Sequence, residues 1–129
     1  MKKSIKVMIV DDSKTMREFI RNLLLSKSND TQFEVVGELG NGLLAVQTVE
    51  QLNPDLVTID LTMPEMDGFT AIKKMLEKKP ELKILVVSSL NDIATALNAI
   101  ENGASGFIQK PFSREELEEK ITDVLTEDE

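Results

Sequence analysis

Short apolar runs alternate along this chain with longer stretches in which apolar residues recur every three or four positions. The first run, Ile5 to Val10, predicts a strand. Met16, Phe19, Ile20, Leu23 and Leu24 then mark one face of a helix, with Ser13 placed to cap its start. "SKSNDTQ" reads as a loop and "FEVVGEL" as a second strand, nearer a sheet edge because it carries glutamates. "NGLLAVQTVEQL" predicts a second helix with Leu43, Val46, Val49 and Leu52 inward, stopped by "NP". Asp55 to Asp60 reads as the third strand and "TMPEMDG" as a loop. Phe69, Ile72, Met75 and Leu76 give the third helix its face before Pro80 ends it. "KILVVSS" is the fourth strand. The fourth helix runs from about Asp92 to Asn102, with Ile93, Leu97 and Ile100 as its spine and Gly103 as C-cap. "SGFIQ" is the fifth strand. The fifth helix opens at Ser113 with "SREE", a capping box closed by Glu116, and turns Leu117, Ile121, Val124 and Leu125 inward. "TEDE" is expected to be a frayed acidic end.

Five strand–helix units follow from this reading, an α/β chain. Strands one, three and four are nearly continuous apolar runs, as parallel strands covered on both faces must be. Right-handed helical crossovers then lie over the sheet. Five units are too few for a closed eight-stranded barrel. The expected architecture is a three-layer, doubly wound open sheet, with its site at the carboxyl ends of the strands near the point where strand order reverses.

Composition narrows the chemistry. The 129 residues, 41% of them apolar, suit one domain around one core. Without cysteine or histidine, disulfides, thiolate chemistry, imidazole bases and most zinc sites are excluded. A net charge of −8 argues against direct nucleic-acid binding. The six-residue run after "MKKS" is broken by Lys6 and has no cleavage site behind it, so a signal peptide is not expected. No apolar run is long enough to span a bilayer, and a cytoplasmic location is expected.

The strand ends hold the informative residues. Strand one ends in Asp11 and Asp12, strand three in Asp60, strand four in Ser88 and Ser89, and strand five is followed by Lys110 and Pro111. Singly, each has an ordinary reading: a helix cap, a solvated amine, a hydroxyl bonded to nearby backbone. "DG" at Asp67–Gly68 and the "GNG" around Asn41 read as turns, and the latter lacks the spacing of a nucleotide loop. Together, three acids at like-charge distance require a cation. Hard oxygen ligands favour Mg²⁺, with Mn²⁺ or Ca²⁺ as alternatives. An ionised aspartate in such a crevice can accept a phosphoryl group as an acyl phosphate. The metal, the Lys110 ammonium and the Ser88 hydroxyl would share the charge of the phosphoryl oxygens. No ATP-binding loop is visible, so the donor must be a separate molecule.

"VDDS", "DLTMPEMDG", "VVSS" and "GASGFIQKPF", in this order and spacing, resemble the response-regulator receiver domain of two-component signalling, over about residues 5 to 125. The resemblance implies a flavodoxin-like sheet of order 2-1-3-4-5. It implies Asp60 as phosphoacceptor, Asp12 as a direct Mg²⁺ ligand, Asp11 assisting through water or hydrogen bonds, and the backbone carbonyl of Thr62 as a further ligand. It implies a cis Lys110–Pro111 bond and a switch pair of Ser88 and Phe107. The family more often has threonine and tyrosine there, and Phe107 reads equally as a plain core aromatic. Thr62 and Leu90 fall at the positions that tune dephosphorylation.

The implied partners are a sensor histidine kinase as donor and a downstream protein, such as a flagellar motor switch protein or a phosphatase. The target would dock on the helix four–strand five–helix five face of a monomer in a chemotaxis-like role. A phosphorelay carrier is the alternative within the class. A small aspartate-dependent phosphatase is the alternative outside it, disfavoured because Thr62 stands where a second aspartate would serve as general acid. A flavin binder is disfavoured because "DDSKTM" would repel a phosphate, and a degenerate scaffold because no site position is lost.

Overall fold

The computed structural model describes residues 3–26, 31–63, 65–90 and 93–126. Five strands and five helices alternate: β1 (Lys3–Val10), α1 (Lys14–Leu25), β2 (Thr31–Leu39), α2 (Gly42–Leu52), β3 (Leu56–Ile59), α3 (Gly68–Lys78), β4 (Lys83–Ser88), α4 (Ile93–Glu101), β5 (Gly106–Gln109) and α5 (Arg114–Thr126). All strand pairs are parallel, in the order β2-β1-β3-β4-β5. The expected doubly wound sheet is therefore present.

Alternation along the central strands divides the core into two layers. Val7 and Ile9 face Ile20 and Leu24 of α1 and Leu117, Ile121 and Val124 of α5. Met8 and Val10 face Ala45, Val46 and Val49 of α2, Ala71, Ile72 and Met75 of α3, and Ala99 of α4. Both layers are shut off from water, which is why these strands read as unbroken apolar runs.

Caps follow the polar residues. Ser13 Oγ accepts from the Met16 N–H, and Ser113 and Glu116 exchange side-chain-to-backbone bonds as a capping box. Asn41 caps α2, which the sequence started there, and Asp67, read as a turn, is instead the cap of α3; each accepts from the N–H three residues on. Asn53, in the left-handed region at φ 48°, closes α2.

Several expectations need correction. Thr31 and Gln32 belong to β2, not to the preceding loop, whose residues 27–30 lie outside the described set, as do Asp92 and residues 127–129 of the expected acidic end. Asp55 and Asp60 flank β3 and are not part of it. Leu43 of α2 is 38% exposed, and Ala45 takes the inward position. Phe19 of α1 is 41% exposed, its ring tilted against Phe112 at 5.7 Å. The largest reversal is in α4. Its spine of Ile93, Leu97 and Ile100 is 77%, 57% and 48% exposed, and only Ala99 is buried. The small alanine lets the helix lie close to the sheet, and the large residues are left on its flank.

Thr58 carries the one buried side-chain polar atom without a hydrogen-bond partner among the described residues, its hydroxyl oxygen. A buried hydroxyl left unpaired costs about 1–3 kcal/mol. Thr58→Val is therefore expected to stabilise the fold by about 1 kcal/mol. A raised urea midpoint at unchanged m value would show this. A lowered midpoint would mean that the hydroxyl has a partner.

Candidate functional site

The strand register assembles the site. Val10 of β1 lies opposite Ile59 of β3, so Asp11 and Asp60 leave the sheet side by side at the switch point, and the Asp60 N–H donates to the Val10 carbonyl at 3.0 Å. Ser88 of β4 lies opposite Gln109 of β5, and the Lys110 N–H donates to the Ser88 carbonyl at 2.8 Å. The Lys110–Pro111 bond is cis, as the resemblance implied.

Lys110 bridges two acids. Its Nζ lies 3.0 Å from Asp11 Oδ2 and 3.7 Å from Asp60 Oδ2. Asp11 is buried, and its other oxygen accepts from the Ser13 N–H at 2.8 Å. Asp60 keeps 12% of its side chain exposed and accepts weakly from the Thr62 N–H at 3.4 Å. Burial pushes the Asp60 carboxyl above the usual carboxylate range; Lys110 pulls it back, and Asp11 raises it further. Asp12 is exposed. Carboxylate oxygens of Asp11, Asp12 and Asp60 all lie within 4.8 Å of one another. Three hard-oxygen donors this close together suit a small divalent cation such as magnesium.

Ser88 is buried, and its Oγ accepts from the Leu90 N–H at 3.1 Å. Thr62 is exposed and Leu90 is 41% exposed. Phe107 of β5 is half-buried against the same core layer as Ile84 and Val86 of β4, the strand face from which Ser88 also projects. Asp11, Asp12, Asp60 and Lys110 are thus gathered at the carboxyl ends of the strands, with Ser88 at the end of the neighbouring β4.

Two contributors were not anticipated. Arg17 of α1 donates from Nη1 to the Asp11 carbonyl at 2.6 Å; in the sequence it occupies a polar position of an amphipathic helix and carries no distinguishing signal. Gly68, read as part of a turn, opens α3 where the backbone of Asp60 and Leu61 leaves no room for a Cβ. The glycine itself was the signal there, since it permits close backbone approach.

With this geometry in view, the comparisons with known proteins define the class. The family described as the response regulator receiver domain matches residues 7–122, and the chain belongs to that family. Among curated proteins it is 40% identical over 117 residues to the chemotaxis protein CheY of Listeria monocytogenes, covering 91% of this chain and 95% of that one. It is likewise 40% identical over 119 residues to CheY of Thermotoga maritima, covering 92% and 96%. Among solved structures, the response regulator domain of Thermotoga maritima CheB superposes with a TM-score of 0.83 at 36% identity, covering 95% of this chain and 97% of that one. A chain of the CheX–CheY–BeF3–Mg complex of Borrelia burgdorferi superposes with a TM-score of 0.88 at 27% identity, covering 95% of this chain and 90% of that one. No helix among the described residues is long and apolar enough to cross a membrane.

Proposed function

We propose that this chain, over about residues 5–125, is a phosphorylation-activated switch whose phosphoacceptor is Asp60. The observation that carries the reading is the convergence of Asp11, Asp12, Asp60 and Lys110 at one strand edge. A carboxylate oxygen of Asp60 forms the new bond to phosphorus as the phosphorus–nitrogen bond of a kinase phosphohistidine breaks, and the electron pair leaves with the imidazole nitrogen. Lys110, already within reach of Asp60, meets one phosphoryl oxygen, and the Ser88 hydroxyl turns from Leu90 to donate to another. Asp12 and Asp60 would hold Mg²⁺ with the Thr62 carbonyl, and Asp11, tied to Ser13 and Lys110, would assist from behind. Mn²⁺ would substitute. When bound, the ion supplies charge neutralisation for the acids and the incoming phosphoryl group.

The exposed apolar stripe of α4 supports a readout by protein contact. At 100° per residue, Ile93, Leu97 and Ile100 lie on the flank opposite Asn102, and Asn102 shares a groove with Phe69 and Lys73 of α3. The stripe therefore turns away from α3, which leaves it open to a partner. Ser88 and Phe107, on one face of neighbouring strands, form the link from the phosphoryl site to that surface. A cytoplasmic chemotaxis-like role, with a motor switch protein or a phosphatase as partner, agrees with relatives named as chemotaxis proteins.

Incubation with acetyl phosphate and Mg²⁺, followed by borohydride trapping and peptide mass mapping, tests the reading. One phosphoryl group on Asp60 is expected; a folded protein left unmodified at that residue would overturn it. Leu90, apolar and beside Ser88, is placed to keep water from the acyl phosphate. Leu90→Glu is expected to shorten the phosphoryl half-life several-fold, measured by phosphate release after removal of the donor. An unchanged half-life would remove Leu90 from this role.

A further inference from the structure

Arg17 has so far no part in the chemistry, yet it holds the turn that presents the acids. Three of the bonds made by that turn, residues 11–13, involve Asp11 and its backbone directly. The Asp11 N–H donates to the Leu39 carbonyl at 3.0 Å, the Ser13 N–H donates to Asp11 Oδ1 at 2.8 Å, and Arg17 Nη1 donates to the Asp11 carbonyl at 2.6 Å. The first bond ties Asp11 to the sheet and the second orients its carboxylate, which Lys110 also grips. Only the third acts on the peptide group that joins Asp11 to Asp12. The plane of that peptide sets the direction in which the Asp12 side chain leaves the chain. Asp12 is exposed and makes no hydrogen bond or ion pair among the described residues, so the backbone alone aims it.

We infer that Arg17 is a positioning residue for the acid pair: by clamping the Asp11 carbonyl it holds Asp12 where its carboxylate meets a divalent cation. The inference rests on the magnesium-dependent reading above. Its sign separates it from simple electrostatics. The Arg17 side chain carries a positive charge. As a charge alone, Arg17 repels a cation, and its removal would tighten metal binding. As a clamp, its removal must weaken binding.

The test is titration of the full chain with Mn²⁺, followed by the electron paramagnetic resonance signal of the free ion, with Mg²⁺ as competitor. Parent, Arg17→Met, Arg17→Gln and Asp12→Asn are compared, and a urea midpoint is recorded for each. Both Arg17 variants are neutral, so either one suffices if the other does not fold. A loss of roughly 10-fold in affinity is expected, the lower end for a partner that orients a metal ligand. A merely structural role would move the urea midpoint and leave the affinity of the folded protein unchanged. Unchanged or tighter binding in the folded Arg17 variants, with binding lost in Asp12→Asn, overturns the clamp and leaves the metal site standing. Failure of the parent to bind either ion overturns both.

Discussion

Asp60→Asn is expected to abolish phosphorylation by acetyl phosphate and, in the absence of metal, to raise the melting temperature by a few degrees. The two effects have one origin. Asp60 is largely buried, 3.7 Å from the only ammonium it faces among the described residues, and that ammonium lies closer to Asp11 at 3.0 Å. One lysine thus serves two acids, and burial holds the Asp60 carboxyl above its ordinary value of 3.8. A raised carboxyl pKa means that the folded state binds the proton more tightly than the unfolded chain does. The associated stability is complete below the ordinary value and is lost as pH rises through the folded-state value. At neutral pH the ionised parent bears that loss and the neutral asparagine does not. The advantage of the variant should therefore fade in acid. Mg²⁺ should stabilise the parent by binding the folded state, and do so less in the variant, which offers one carboxylate fewer. Calorimetry of both proteins across pH, with and without Mg²⁺, checks each point. A variant that melts below the parent at neutral pH without metal would show that Asp60 is better paired than its distances imply.

The fold and the site were legible in the sequence to different depths. Strands β1, β3 and β4 were visible because full burial forces unbroken apolar runs. The site was visible because strand ends converge in an open parallel sheet: once Asp11, Asp60, Ser88 and Lys110 are assigned to those ends, topology brings them together. Periodicity failed where it was asked which way a face points. Ile93, Leu97 and Ile100 do share one side of α4, but a repeat records which residues are neighbours and not what covers them. The discriminating feature was Ala99, small enough for close contact with the sheet. Arg17 was hidden for a related reason: a long polar side chain on a helix looks solvated until its partner, here a main-chain carbonyl, is placed.

Gly68→Ala is expected to be the most damaging single-methyl change near the site. A Cβ at position 68 would stand 2.6 Å from Leu61 Cα and 2.7 Å from the Asp60 carbonyl oxygen. Both are backbone atoms at the end of a fully buried strand and cannot turn aside as a side-chain tip would. The Gly68 N–H also donates to the Leu61 carbonyl at 2.9 Å, which fixes the start of α3 against the same peptide. Relief requires α3 to move off the sheet or the 60–61 backbone to shift. Overpacking of this kind costs roughly 1–3 kcal/mol. The melting temperature should fall by several degrees. A stability effect alone would leave the folded fraction fully reactive. Here the displaced atoms belong to Asp60 itself, so the rate of acetyl-phosphate incorporation per folded molecule should fall as well. Gly40→Ala is the control, because a Cβ there meets only Arg17 Nη1 at an ordinary 3.6 Å. If both alanine variants melt with the parent, the contact of α3 with the Asp60–Leu61 backbone is looser than these distances require. If Gly68→Ala loses stability but keeps the parent rate when folded, the helix yields and the phosphoacceptor stays in place.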